Sequence, residues 1–98
     1  DWDNINNVWA KLYEEIDELK IACEKGQLKS IEEEIGDCFF SLVNLARHLN
    51  ISAENSVSKT NNKFSKRFKE VELKVSKMSK KINEMSNEEI SKLWESVK

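Results

Sequence analysis

Apolar residues recur in steps of four and three along the start of the chain, at Ile5, Trp9, Leu12, Ile16, Leu19 and Cys23. That period puts them on one stripe of a helix. Glu24-Lys25-Gly26-Gln27 ends it, with glycine where a helix terminus favours left-handed backbone. Ser30 and Glu33 have the spacing of a capping box, which predicts a second helix from about Ser30 with Ile31, Ile35, Cys38, Leu42, Leu45 and Leu49 on its stripe. Phe39, Phe40, Val43 and Ala46 lie off that stripe, so this helix is expected at the centre of a bundle, buried on several sides. Asn50-Ile51-Ser52 is a short break. A third, long helix follows from about Ala53, with Val57, Phe64, Phe68, Val71, Val75 and Met78 inward and lysines outward. Ser86-Asn87-Glu88-Glu89 is a second capping box and starts a short last helix with Ile90, Leu93, Trp94 and Val97 on its apolar side. Between Lys74 and Asn87 runs a Ser/Lys/Asn-rich connector that Met78, Ile82 and Met85 equip to pack. The expected fold is all-α, an antiparallel helical bundle without internal repeats.

Composition agrees with helices. The chain has 98 residues, no proline, two glycines and 35% charged residues. That is enough for one domain spanning 1–98, with a core small enough to need a metal, a second subunit or the rest of a longer polypeptide. The first residue is Asp and not Met, which fits a domain excised from something larger. A net charge of −2 argues against a general nucleic-acid or membrane-surface protein. No apolar stretch reaches the length of a membrane span, and no signal-peptide pattern opens the chain. Cys23 and Cys38 fall on apolar helix positions and read as reduced core residues of a cytoplasmic protein.

Four acidic residues change the picture. Glu18 lies eight residues before Gly26 and Glu34 eight after it, while Glu15 and Asp37 are each eleven away. Two helices folded back at Gly26 bring all four to about 12 to 16 Å from the turn. At 100° per residue Glu15 falls inside the apolar arc between Leu12 and Leu19, with Lys11 and Glu18 along its edge, whereas Glu14 and Asp17 point to solvent. Glu34 falls inside the arc of the second helix, and Asp37, Ser41, Asn44 and His48 form a polar strip. A solvated face accounts for most of the eighteen acidic residues, including Glu14, Asp17, Glu32 and Glu33. Carboxylates converging in a half-buried space repel one another, and a divalent cation relieves that. Without Cys or His at ligand spacing, oxygen donors favour Mg²⁺ or Mn²⁺ over zinc. A di-iron site would need Glu-x-x-His pairs, and the residue three before the single histidine, His48, is Leu45.

Lys63 and Arg67 are one turn apart on the third helix, beside Phe64 and Phe68, so their heads can reach inward while their stems pack. Paired cations near an acidic metal site suit a polyphosphate. Lys66 and Lys69 read as solvated, Trp94 by spacing as core, and His48 as a satisfied helix-end residue. No Ser/His/Asp or Cys/His arrangement can be assembled.

Together, Lys11-Leu-Tyr-Glu14-Glu15-Ile-Asp-Glu18, Glu33-Glu34-Ile-Gly36-Asp37-Cys-Phe39-Phe40, Val43-Asn44-Leu45-Ala46-Arg47 and Asn61-Asn-Lys63-Phe64-Ser-Lys-Arg67-Phe68 resemble the MazG family of nucleoside triphosphate pyrophosphohydrolases. The ending Leu93-Trp94-Glu95-Ser-Val97-Lys98 is similar to the family's as well. Asp1-Trp2 resembles the segment leading into the second, catalytic half of two-domain members. The resemblance implies a helical homodimer that hydrolyses a nucleoside triphosphate to monophosphate and pyrophosphate with Mg²⁺. It implies Glu15, Glu18, Glu34 and Asp37 as metal ligands and Lys63 and Arg67 on the phosphates. It adds Lys11 as a further phosphate contact, Asn44 as a helper and Trp94 as a surface for the base. The stretch from Lys74 to Asn87 departs from the family in lacking a glycine.

The expected step is water attack at the α-phosphorus, with Glu15 or Glu18 accepting the proton. Two other readings remain open at this point. One is a narrower relative acting on dUTP, dCTP or phosphoribosyl-ATP; the other is a non-catalytic helical dimerisation or regulatory module.

Overall fold

The computed structural model describes the backbone from residue 2 and side chains from residue 4 onward. Asp1-Trp2 therefore lies outside the described side chains. Four α-helices follow in order, α1 (Trp2–Lys25), α2 (Leu28–His48), α3 (Ala53–Lys77) and α4 (Asn87–Ser96), with a single 3₁₀ turn at Ile82–Glu84 before the last. No strand occurs among the described residues, so the chain is all-α. No helix is long and apolar enough to cross a membrane. The chain forms two compact units, residues 1–54 and 55–98.

The first unit is the α1–α2 hairpin. Gly26 adopts φ 70°, and its N–H donates to the carbonyls of Ala22 at 3.0 Å and Cys23 at 3.1 Å. A side chain at that φ would be strained, which is why glycine closes this helix. Only Gly26 and Gln27 separate the helices, so α2 must run antiparallel to α1. The start of α2 differs from the expectation: the cap is Gln27, not Ser30. Ser30 already lies in the first turn, and its hydroxyl donates to Gln27 Oε1 at 3.4 Å. The reason is distance, because a chain reversing at Gly26 re-enters helical geometry at once and leaves no room for three further cap residues.

Leu12, Glu15, Ala22, Ser41 and Leu45 are the buried residues of this hairpin. The burial expected around α2 is absent from the chain alone: Phe39 is 66% and Phe40 76% exposed, and Leu42 and Val43 are half exposed. Cys23 is also exposed rather than core, while Cys38 is half-buried, and both are free thiols. Helix α2 ends with the Leu49 N–H on the carbonyls of Leu45 and Ala46, and Asn50 turns the chain at φ 59°. Asparagine tolerates that region better than most residues.

In the second unit Val71, Val75 and Met85 form a buried core, packed by Ile82, Ile90, Leu93, Trp94 and Val97. The connector before α4 is thus anchored through Ile82 and Met85, whereas Met78 stays exposed. The predicted capping box is present in full. The Glu89 N–H donates to Ser86 Oγ at 3.1 Å, and the Ser86 N–H donates to Glu89 Oε1 at 3.3 Å. At the other end of α4, Lys74 Nζ donates to Ser96 Oγ at 2.7 Å and ties it to α3.

Candidate metal centre on the hairpin

Glu15 owes its position to helix phase. Three residues after Leu12 and four before Leu19, it shares their inward stripe and is only 6% exposed. Glu18, one turn on, and Glu34 on α2 are half-buried beside it. One carboxylate oxygen from each of the three lies within 4.8 Å of the others. The Cys38 thiol donates to the Glu15 main-chain carbonyl at 3.3 Å, joining α2 to α1 at this level.

The partners of these oxygens are unequal. Glu15 Oε1 receives Lys11 Nζ at 2.9 Å, and the same ammonium lies 3.7 Å from Glu14. Glu15 Oε2 and Glu34 Oε2 are buried and have no hydrogen-bond partner. An orphaned buried oxygen costs roughly 1–3 kcal/mol, more when it carries charge. Two of them on members of one acidic cluster suit a divalent cation. The donor chemistry is hard oxygen throughout: Cys38 spends its proton on a carbonyl, and His48 is exposed. That set suits Mg²⁺, Mn²⁺ or Ca²⁺ better than zinc.

The electrostatics carry the same mark. The Glu18 carboxyl is raised above its ordinary value, first by the charge of Glu15, then by burial and by the charge of Glu34. Burial raises the Cys38 thiol, with Glu15 and Glu34 adding to it. Lys11 is raised by its hydrogen bond to Glu15 and by the charge of Glu14.

Of the four acids singled out in the sequence, three converge. Asp37 is exposed and outside the trio. Glu14, Asp17, Glu32 and Glu33 are exposed, as their phase requires. Asn44 is half-buried, and its side-chain oxygen accepts from Arg47 Nη2 at 2.9 Å. The Cys38 bond was not readable as such, because the periodicity marks that position only as apolar. Lys11 precedes Glu15 by four residues, a spacing that by itself allows this ion pair.

Within the second unit, Lys63 is exposed and Arg67 half-buried. Lys63 Nζ lies 5.2 Å from the Phe64 ring centroid and Arg67 Cζ 5.7 Å from it, both within cation–π reach. Phe64 stacks on Trp94 with centroids 5.5 Å apart and planes at 11°. Trp94 also packs on the Val71/Val75/Met85 core, so spacing alone placed it correctly.

Comparison with known proteins gives the family of the chain. The chain is 39% identical over 100 residues to the nucleoside triphosphate pyrophosphohydrolase of Escherichia coli K12, which covers all of this chain and 38% of that protein. It is 39% identical over 98 residues to the nucleoside triphosphate pyrophosphohydrolase/pyrophosphatase MazG of Thermotoga maritima, covering all of this chain and 37% of that one. A 69-residue stretch is 36% identical to the uncharacterized protein YabN of Bacillus subtilis, covering 70% of this chain and 14% of YabN. The chain thus spans less than two-fifths of the curated relatives it matches. Residues 4–72, which include the carboxylate trio and Lys63 and Arg67, match the model of the MazG nucleotide pyrophosphohydrolase domain, and the chain belongs to that family.

Proposed function

We propose that this chain is a Mg²⁺-dependent pyrophosphohydrolase that converts a nucleoside triphosphate to its monophosphate and pyrophosphate. The observation that carries the reading is the trio Glu15, Glu18 and Glu34, with two buried oxygens that lack partners. The names of the Escherichia coli and Thermotoga maritima relatives support the same chemistry.

Glu15, Glu18 and Glu34 would hold the cation, with Asp37 as a fourth ligand by resemblance. Bound there, a divalent cation supplies Lewis acidity and offsets phosphate charge. Water attacks the α-phosphorus, the bond from phosphorus to the bridging oxygen breaks, and pyrophosphate leaves. Glu15 or Glu18, on one face of α1, would accept the proton. Lys63 and Arg67 take phosphate oxygens, and the Phe64 ring restrains both heads before substrate arrives. Lys11, Asn44 and Trp94 are the secondary contacts.

A homodimer is part of the proposal. Leu12, Ile16, Leu19, Ile35, Phe39 and Leu42 line an apolar groove of about 380 Å³ on the hairpin. A second copy covering it would supply the burial that α2 lacks.

Product identification tests the function. With Mg²⁺ and mixed nucleoside triphosphates, monophosphate and pyrophosphate are expected. Diphosphate with phosphate would place the attack at another phosphorus. No turnover with any nucleotide would favour a dimerisation or regulatory module.

A further inference from the structure

The carboxylate trio carries three acids but, among the described ion pairs, one cation. Lys11 Nζ sits 2.9 Å from Glu15 Oε1, and no ion pair is formed by Glu18 or Glu34. The pair gives the helix little, since lysine preceding glutamate by four is the weaker order on a helix surface. Lys11 is 57% exposed, whereas the Glu15 side chain is 7% exposed. A mobile, hydrated head therefore reaches in to a fixed, buried carboxylate. Glu15 is thereby divided: Oε2 is buried and free for a cation, and Oε1 is occupied.

We propose that Lys11 is the resident counter-ion of the trio, holding Glu15 Oε1 in the metal-free protein and weakening its grip on a divalent cation. The inference rests on the metal reading above. Two consequences follow from charge alone. An incoming cation meets the repulsion of the ammonium and competes with it for Glu15. An anion that draws the ammonium away frees Oε1, so that phosphate and cation each favour the other's binding. Lys11 is thus a positioning residue that couples metal loading to the arrival of a polyphosphate.

The test is titration of the nucleotide-free protein with Mn²⁺ by calorimetry, for wild type, Lys11→Met and Lys11→Arg. Methionine keeps the stem and removes the charge. Lys11→Met is expected to bind Mn²⁺ tighter, on the order of tenfold, with a larger rise of melting temperature on adding metal. Lys11→Arg is expected to stay near wild type. Equal or weaker binding by Lys11→Met, with wild type still binding Mn²⁺, would overturn the role of Lys11 and leave the metal site standing. Absence of Mn²⁺ binding in all three proteins would overturn the metal reading and this inference together.

Discussion

Residues 1–54 bury a carboxylate among their apolar residues, whereas the buried residues of 55–98 are apolar. The hairpin holds Glu15 at 6% exposure next to Glu18 and Glu34, while Phe39 and Phe40 face outward. The second unit places Val71 and Val75 at 3% exposure under Ile82, Leu93 and Trp94. Formal charge divides in the same way: five basic residues against twelve acidic in the first unit, and eleven against six in the second. A glutamate consequently behaves differently in each. Glu18 is raised by Glu15's charge, and Glu89 is lowered, first by the Ser86 backbone N–H and then by Lys80 and the Ser86 hydroxyl. One unit stores unfavourable electrostatics that a ligand can relieve, and the other is internally satisfied. Such strain at a site, offset elsewhere in the fold, is a common mark of function.

Substitutions in the hairpin are the strongest way to break this contrast. Glu34→Gln keeps shape and removes charge; a loss of hydrolysis by about 100-fold or more is expected, together with a higher melting temperature of the metal-free protein. Activity and thermal melts of one preparation read both. A variant that lost stability without losing activity would make Glu34 an ordinary structural residue.

The second unit should respond in the reverse sense. Val75→Ala removes buried methyl groups and is expected to cost about 2 kcal/mol in denaturant unfolding, with turnover per folded molecule retained. Ser86→Ala removes one arm of the capping box and should cost about 1 kcal/mol, read as faster amide exchange along α4.

The smallest effects are those of pH, and their signs are opposite. Glu18, whose folded value is raised, contributes stability below the ordinary glutamate range and loses it as pH rises through the folded value. Glu89, whose folded value is lowered, contributes above that range and loses it as pH falls through the folded value. Hydrogen exchange resolved by helix, without metal and taken from neutral pH to below the ordinary glutamate range, should therefore show α1 and α2 firming while α4 loosens. Loosening of both together would erase the distinction.

What the sequence disclosed follows how local each feature is. Gly26 and the Ser86/Glu89 box are decided within a single turn of chain, and the structure realises both. Glu15 was legible because phase between Leu12 and Leu19 fixes its direction without reference to any neighbour. Ser30 failed as a cap because an equally local feature, the reversal at Gly26, had already started α2. The exposure of Phe39 and Phe40 was not legible, since helical phase gives the direction of an apolar residue and not whether a neighbour covers it. Asp37 shares the mirrored spacing about Gly26, yet it lies exposed and outside the carboxylate trio, which an interval in sequence does not reveal.

The central claim is that the trio serves cleavage between the α- and β-phosphorus atoms of a nucleoside triphosphate. The most direct measurement is phosphorus NMR of the products formed with Mg²⁺ in isotopically labelled water. The account predicts heavy oxygen in the nucleoside monophosphate and unlabelled pyrophosphate. Label in pyrophosphate or in inorganic phosphate, or turnover unaffected by Glu18→Gln, would contradict it.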